Sequence, residues 1–180
     1  HILGTAMQGP LAGTELRSIP SQLVSWKAWK KTHPETTVLN LRRTRRGFIH
    51  EIYSHPEPFV YGWVVRGQVY HAPFSVLYET QILNLELGGQ PLLVTFDPDG
   101  KGIHLFSRNV GTETLKFAPG AQNQMRDQQT GSVWNRETGL ALEGPFKGES
   151  LEQRVGIVSY TRAWKIFHPG SQEISAEQGP

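Results

Sequence analysis

The feature that most constrains the fold of this chain is an internal duplication. Residues 4–34 and 139–169, hereafter the first and second repeat units, align without a gap at a displacement of 135 residues, and eleven of 31 positions are identical. The identities include glycine, proline and tryptophan, the residues that fix turns and large packing contacts. We therefore expect both units to adopt one local structure. The identical pairs are Gly4 and Gly139, Ala6 and Ala141, Gly9 and Gly144, Pro10 and Pro145, Gly13 and Gly148, Leu16 and Leu151, Ala28 and Ala163, Trp29 and Trp164, Lys30 and Lys165, His33 and His168, and Pro34 and Pro169.

Each unit predicts a strand, a tight turn and a short helix. The shared pattern G-x-A-x-x-G-P-x-x-G supplies glycines, which adopt positive φ, and a proline, which fixes φ. Ser25 is the predicted N-cap of the first helix, and Ser159 or Thr161 that of the second. We expect Trp29 and Trp164 to occupy equivalent buried positions. The predicted anchors of the two units are Trp29, His33, Pro34, Trp164, His168 and Pro169.

The paired residues His33 and His168 have two interpretations. They could be ligands that act together, or they could each end a helix, where a histidine interacts favourably with the helix dipole. The proline that follows each histidine disfavours continuation of a helix. We therefore prefer the helix-terminating role.

The composition excludes several classes of function. The 180 residues contain no cysteine, so disulfides, thiolate zinc sites and cysteine nucleophiles are excluded within this chain. The formal net charge is only +2, which is not the field of a dedicated nucleic-acid binder, and we predict no specific nucleic-acid partner. Hydrophobic residues make up 37% of the chain, enough to form a core.

The residues between the two units predict a mainly antiparallel β structure. Hairpins are expected at Arg66-Gly67 and at Gly88-Gly89, and a short helix over 73–79. The predicted fold is mainly β, an antiparallel sandwich or barrel-like arrangement with a few short helices, and α+β is the alternative. The predicted strands cover residues 59–65, 68–72, 82–87, 91–96, 103–106, 114–117 and 132–135.

The duplication divides the chain into three predicted parts. Residues 1–40 are the tail of a preceding repeat copy and contain its strand, turn and short helix. Residues 41–58 form a connector with a run of arginines and two prolines. Residues 59–177 form a complete, β-rich repeat copy.

Several motifs of the complete copy carry a family resemblance. They are Gly67 through Pro73-Phe74, the pattern G-G-x-P-x-x-V-T over 88–95, the pattern D-x-x-T-x-S-x-W over 127–134, and the glycine-rich pattern of the repeat unit. In order and spacing, these motifs resemble a bacterial family catalogued as domain of unknown function three-one-seven-nine. The resemblance covers residues 60–169, and again 4–40 as the end of a preceding copy.

Copies of that family typically carry the patterns H-E-I-V-N-D and C-P-L-C, and this chain departs from both. Thr80-Gln81 replaces His-Glu, Leu85 replaces the Asp, and Asp97 and Gly100 replace the two Cys. Imidazole and thiolate groups are the ligands that a copper, zinc or redox site uses. The resemblance therefore implies a degenerate copy that holds no metal or cofactor. The retained residues, expected to serve turns and packing, are Asp127, Thr130, Ser132 and Trp134.

Two groups of residues are candidates for binding. The cationic run in the connector could contact an acidic protein partner or an anionic membrane surface. Three aromatic residues on the first predicted hairpin could stack on a sugar or peptide if one strand face were open, or alternate between the core and a partner surface. The cationic candidates are Arg42, Arg43, Arg45 and Arg46, and the aromatic candidates are Tyr61, Trp63 and Tyr70.

The histidines do not show the spacing of a known metal site. His50-Glu51 and His55 differ from the zincin pattern, which needs two histidines four residues apart on one helical face. We therefore predict no metal site and no cofactor. The weak metal-ligand candidates are His50, His71 and His104.

These observations favour a non-catalytic, β-rich structural or binding module, as a subunit or accessory part of a larger assembly. The expected partner is another protein or a preceding repeat copy, and no small-molecule ligand is indicated. The family resemblance alone implies a periplasmic or other extracytoplasmic location. Two alternatives stay open. One is a metal-handling or redox enzyme whose active copy lies upstream of this chain, and the other is a carbohydrate or peptide binder that uses exposed aromatic residues.

Overall fold

The computed structural model describes residues 4–38, 58–99 and 102–176, with the side chain of Thr32 left out. Within these ranges, its helices are α1 (Trp26–Thr32), α2 (Phe74–Thr80) and α3 (Thr161–Phe167). Its strands are β1 (Phe59–Val65), β2 (Gln68–Pro73), β3 (Ile82–Leu87), β4 (Gln90–Phe96), β5 (Ile103–Ser107), β6 (Asn109–Val110), β7 (Glu113–Thr114), β8 (Phe117–Pro119), β9 (Gln124–Asp127), β10 (Val133–Asn135), β11 (Ala141–Glu143), β12 (Gln153–Arg154), β13 (Ile157–Tyr160) and β14 (Gln172–Glu173). The prediction of a mainly β fold with a few short helices is confirmed.

The strands of the described residues form three four-stranded sheets and a small ribbon of β6 and β7. The first sheet has the order β13–β1–β2–β14, the second β12–β5–β4–β3, and the third β11–β10–β9–β8. Neighbouring strands are antiparallel, except that β14 runs parallel to β2. Successive strands of the chain are mostly neighbours in one sheet, as expected for short antiparallel connections.

The second sheet lies between two hydrophobic cores, because successive side chains of a strand point to opposite faces. Leu92 and Val94 of β4 belong to a core that includes Trp63 of β1. Leu93, between them, belongs to a second core around Trp134 of β10. Burial on both faces explains why β4 contains the continuous apolar run Leu92-Leu93-Val94 instead of an alternating pattern.

Both predicted hairpins are confirmed, and their turns explain the residues found there. Arg66 and Gly67 join β1 to β2 with φ of 48° and 80°, and Gly88 and Gly89 join β3 to β4 with φ of 56° and 69°. Positive φ at both central residues matches the right-handed twist of the flanking strands. Glycine adopts this conformation without steric cost, which accounts for three of the four turn residues.

The predicted strand over 114–117 is wrong, because that segment is divided between β7 and β8. The N–H of Leu115 donates to the carbonyl of Arg108 at 2.9 Å. The N–H of Lys116 donates to the side-chain oxygen of Gln129 at 2.9 Å. The first bond continues the register of the β6–β7 ribbon, whereas the second is made to a side chain, so pairing with β9 begins only at Phe117.

The two repeat units adopt the same backbone structure. Helices α1 and α3 begin and end 135 residues apart, and the residues that end them, His33 and His168, have φ, ψ of −130°, 66° and −133°, 64°. Each unit starts with a hairpin closed by one bridge, between Thr5 and Glu15 or between Leu140 and Ser150. Nε1 of Trp29 donates to the hydroxyl of Thr36 at 3.0 Å, and Nε1 of Trp164 donates to that of Ser171 at 2.8 Å. Because Thr36 and Ser171 are also 135 residues apart, the structural match continues beyond the aligned segments.

The helix caps differ between the units. Ser25 is the N-cap of α1, as predicted, and its hydroxyl accepts from the N–H of Ala28 at 3.2 Å. The N-cap of α3 is Tyr160, which makes no side-chain cap bond, so the prediction of Ser159 or Thr161 is wrong. Ser159 still belongs to β13, and the N–H of Thr161 already donates to a backbone carbonyl, that of Pro58, at 2.7 Å.

The two anchor tryptophans differ in burial, which corrects the expectation that they are equivalent in this respect. Trp164 is buried, whereas Trp29 is only partly buried. The six-membered ring of Trp164 packs directly over Gly62 of β1, so closely that an added Cβ there would lie 2.2 Å from it. The hydroxyl of Ser171, which accepts from Trp164, also contacts Nδ1 of His71 on β2. Trp164 therefore fixes α3 on the first sheet.

The second repeat unit supplies an edge strand to each of the three sheets. Strand β11 pairs with β10, β12 pairs with β5, and β13 pairs with β1. Edge pairing satisfies backbone groups that would otherwise be open at the sheet edge. Residues 59–138, hereafter the body, contribute the other strands of these sheets, apart from β14. One continuous segment thus joins three sheets of the body.

Substitution of Gly62 tests the contact that holds α3 on the first sheet. Gly62→Ala should lower the free energy of unfolding by about 1–3 kcal/mol, because the new methyl group overlaps the buried ring of Trp164. Chemical denaturation measures this change. Gly170→Ala is the matched control, since nothing lies within 4 Å of a Cβ at that position. Equal stabilities of the two variants would contradict the proposed packing.

Candidate functional site

A polar concave region lies beside Gln81 and Asp97. Gln81 ends α2 in the left-handed conformation, with φ of 57°, and its carbonyl accepts from the N–H of Phe96 at 2.8 Å. This bond places Asp97, the residue after β4, next to the start of β3. The N–H of Asp97 donates to the carbonyl of Gly102 at 2.8 Å, which brings the beginning of β5 to the same place.

Arg136 is the buried cation of this region. Its Nη1 donates to Oε1 of Gln81 at 2.8 Å and to the carbonyl of Phe96 at 3.1 Å, and its Nη2 donates to the carbonyl of Gln122. The carbonyl of Arg136 accepts from the hydroxyl of Thr95 at 2.9 Å. Burial lowers the pKa of the guanidinium, and nearby carboxylates oppose this change. Arg136 therefore connects its own segment to the segments that contain Gln81, Phe96 and Gln122.

Glu137 and Asp97 form a pair of interacting carboxyl groups. Burial raises the pKa of Glu137, and the charge of Asp97 and a hydrogen bond with it raise the pKa further. A hydrogen bond from Asn123 and the charge of Arg136 act in the opposite direction. A carboxyl group with a raised pKa beside a carboxylate can hold a proton and donate a hydrogen bond.

His104 on β5 lies near this pair, since a Cβ on Gly102 would be 3.1 Å from its Nε2 and 3.7 Å from Glu137. Only 1% of the residue is exposed, and among the described residues neither ring nitrogen has a hydrogen-bond partner. Burial lowers its pKa to about 4, although Asp97 opposes the change. The ring stacks on Phe106, with centroids 5.7 Å apart and planes at 18°. His104 is therefore a neutral residue of the interior at neutral pH.

Helix α1 of the first repeat unit covers this region and leaves a cleft of about 480 Å³. One wall is α1, with Lys27 and Lys31, and the other wall carries carboxylates and amides. The cleft can hold a polar group that accepts from lysine and donates to a carboxylate or amide oxygen. The residues of the second wall are Asp97, Asp99, Gln122, Asn123 and Glu137.

The aromatic candidates do not form an exposed platform. Tyr61, Trp63 and Tyr70 are 2%, 2% and 7% exposed and belong to the core between the first and second sheets. Their side chains point inward because the first sheet packs on the second along its whole hairpin. Burial raises the pKa of the Tyr61 hydroxyl. Stacking on a sugar or peptide from an exposed strand face is therefore wrong for these residues.

The histidine candidates lie in separate environments. His71 contacts Ser171 through Nδ1, and its Nε2 lies 3.3 Å from the carboxylate of Glu173. Burial lowers the pKa of His71, and Glu173 opposes this change. Within the described ranges, no group of three or more His, Asp or Glu side chains is arranged to hold a metal ion. His50, His55 and the arginines of the connector (Arg42, Arg43, Arg45 and Arg46) lie outside the described residues.

His33 and His168 pack against the tryptophans of their own units. The ring of His33 stacks on Trp29, with centroids 3.7 Å apart and planes at 7°. The ring of His168 lies 4.3 Å from that of Trp164. The N–H of each histidine also donates to the carbonyl of the same tryptophan, at 2.9 Å and 2.8 Å. These contacts are those of residues that end a helix.

The D-x-x-T-x-S-x-W pattern forms a closed hydrogen-bond network. The carboxylate of Asp127 accepts from Trp134 Nε1 at 2.9 Å and from the N–H of Thr130 at 2.6 Å, and the hydroxyls of Thr130 and Ser132 are 2.6 Å apart. Burial raises the pKa of Asp127, but hydrogen bonds from Trp134, Thr130 and Gly131 outweigh it, so the pKa lies below its ordinary value. The network fixes the turn between β9 and β10.

The family of the chain follows from comparison with family models. A model described as "Protein of unknown function (DUF3179)" matches residues 1–56 and 50–180, which together span the whole sequence. The chain belongs to the DUF3179 family. No curated protein and no solved structure gives a significant match. The two matches to DUF3179 overlap only between residues 50 and 56, and each contains one repeat unit.

The fold brings together two of the positions at which this DUF3179 chain departs from the family pattern. Gln81, in place of the glutamate of H-E, and Asp97, in place of the first cysteine, lie side by side at the polar region. Leu85, in place of the aspartate, is buried in the core between the first and second sheets. Gly100 lies outside the described residues.

Sequence reasoning missed the residues that complete the polar region. Arg136 and Glu137 follow β10 in a stretch with no distinctive motif, and Lys27 and Lys31 look like the solvated face of a short helix. Their shared position depends on contacts between segments far apart in the chain. A local signal existed only for Asp97, within an Asp-Pro-Asp-Gly turn.

The burial of His104 predicts a pH dependence of stability. The folded protein keeps His104 neutral down to about pH 4, whereas the unfolded chain protonates it near pH 6.5. At this site the unfolded state therefore binds more protons in this window, and the contribution of His104 to stability should fall by about 3 kcal/mol as the pH decreases from 6.5 to 4. Denaturant titrations at several pH values measure this slope.

His104→Gln is the informative variant, because it removes the titrating group and keeps a polar side chain. Its unfolding free energy should depend less steeply on pH between 6.5 and 4 than that of the wild type. His71→Gln serves as a comparison and should retain the part of the slope that belongs to His104. An identical slope in the wild type and His104→Gln would show that His104 is not the cause.

Proposed function

We propose that this DUF3179 chain is a non-catalytic, β-rich structural or binding module of an extracytoplasmic protein. Its role is to hold parts of a larger assembly together rather than to transform a substrate. The observation that carries the proposal is the position of the Arg136 guanidinium. It donates to Gln81 and to the carbonyl of Phe96, where two of the positions that depart from the family pattern meet.

A guanidinium at this place opposes a metal centre for an electrostatic reason. Arg136 carries a positive charge next to Gln81 and Asp97, and a bound transition metal would add a second positive charge within the same small region. Its hydrogen bonds also occupy the side-chain oxygen of Gln81. The guanidinium thus bonds to Gln81 and to the carbonyls of Phe96 and Gln122, as in a structural network.

The second repeat unit supports the structural part of the proposal. It pairs with the edges of three sheets, and its residues Leu151 and Trp164 are buried against the body. A segment that joins separate sheets through backbone pairing and side-chain burial acts as a scaffold. The extracytoplasmic location rests on the family resemblance and is part of the proposal.

Metal binding tests the proposal directly. Protein purified without a histidine tag should retain no stoichiometric metal after dialysis, and calorimetric titration with zinc or copper should show no submicromolar site. The double variant Thr80→His with Asp97→Cys returns two ligands of the family pattern to neighbouring segments, and it should bind zinc more tightly than the wild type.

Tight metal binding by the protein would contradict the proposed function. Stoichiometric metal in the wild-type protein, or submicromolar affinity that His104→Ala abolishes, would refute the non-catalytic module and favour a metal-handling function. The polar cleft would then be the place to search for a substrate, because Asp97 and Glu137 already interact there.

A further inference from the structure

The two repeat units have the same backbone but opposite environments. Leu151 of the second unit is 5% exposed, whereas the equivalent Leu16 of the first unit is 72% exposed. Phe146 packs against the core around Trp134, whereas its equivalent, Leu11, is 69% exposed. The first unit therefore presents to solvent the apolar face that the second unit buries on the body.

The glycines of the units show the same contrast. A Cβ on Gly139 would lie 2.9 Å from the ring of Phe106, and one on Gly144 would lie 2.7 Å from Ser132, because the body packs closely on both. Gly9 is the equivalent of Gly144 in the first unit, and nothing among the described residues lies within 4 Å of a Cβ at that position. The first unit thus has the glycine that allows close packing at this position. Among the described residues, however, no other part of the protein packs on it there.

The backbone edges differ in the same way. The second unit pairs with β10, β5 and β1. In the described part of the chain, the first unit adds no strand to any sheet, and its bridge to the body joins Leu23 to Ile103. Open backbone groups beside an apolar face are the surface on which a β-sheet edge docks.

The helix of the first unit retains its polar contact as well. Trp29 donates to the hydroxyl of Thr36 as Trp164 donates to that of Ser171. In the second unit this hydroxyl also contacts His71 of β2, so it links α3 to the sheet. In the first unit, α1 instead lies beside the polar cleft of this chain's own body.

We propose that the hairpin of the first repeat unit, residues 4–16, docks on another body of the DUF3179 type, a second domain equivalent to residues 59–138, as the equivalent hairpin of the second unit docks on the body of this chain. The sheet edge equivalent to that of β10 would receive this hairpin, and Leu11 and Leu16 would enter a core equivalent to that around Trp134. Leu23 and α1 keep their contacts with the body of this chain. The body of this chain is not the acceptor of this hairpin, because the edge of β10 already holds β11 of the second unit. This docking rests on the proposed structural role of the chain, and the partner in that role is another DUF3179 body.

A fusion protein tests the docking. Residues 59–138 are placed directly before residue 4 of the full chain, so that the first unit follows the added body with the spacing that the second unit has in nature. Leu16→Cys supplies the sole thiol, because the chain has no cysteine. The alkylation rate of Cys at position 16 is then compared between the fusion and the full chain of 180 residues.

Docking should slow alkylation at position 16 in the fusion by about tenfold or more, because local opening must precede reaction. Leu11→Asp in the same fusion should restore the fast rate by placing a charge in the interface. Val38→Cys is the matched control, since its equivalent, Glu173, is exposed in the second unit, and its rate should be equal in both proteins.

Equal rates at position 16 in the fusion and the full chain would overturn the docking. The added body has the sequence that folds with the second unit in this chain, so a reactive thiol would show that the first unit cannot replace it. Failure of the proposed function has a different signature. Stoichiometric metal bound by the full chain would refute the non-catalytic role and leave the alkylation rates unchanged.

Discussion

The pairing of one continuous segment with the edges of three sheets is the interaction on which the rest of this structure depends. The second repeat unit contributes β11, β12 and β13, each to a different sheet. Side chains strengthen the same contacts, because Leu151 enters the core around Trp134 and Trp164 covers Gly62. The three sheets are short, and a short antiparallel sheet gains stability when it packs on neighbours. The unit therefore converts three small sheets into one cooperative body.

Buried polar side chains join the body where strands do not pair. Arg108 donates to the carbonyls of Leu85, Leu92 and Leu115, so one guanidinium connects β3, β4 and the segment after β7. Arg136 has the same role at the opposite end of β4. A buried charge is tolerated when hydrogen bonds satisfy it, and removal of its partners is costly. This pattern suits a scaffold, whose polar interior holds strands in place.

The sequence predicted local structure better than it predicted the site. The hairpins at Arg66-Gly67 and Gly88-Gly89 were predictable because turn residues are chosen for their φ values. The burial of Trp63 was not predictable, because the alternation of residues along one strand does not show that the first sheet packs on the second. The polar region depends on contacts such as Arg136 with Gln81, which are 55 residues apart. Pairwise spacing along a chain carries no signal for such contacts.

Native-state hydrogen exchange in increasing denaturant is the most direct test of the central claim that the second unit makes the three sheets cooperative. The amides of β1, β5 and β10 should open with one common free energy, equal to that of β11 and β13, because none of these sheets retains its edge when the unit leaves. The hairpin amides of the first unit should exchange at lower denaturant. Separate opening free energies for the three sheets, with β10 protected while β1 exchanges, would contradict the account.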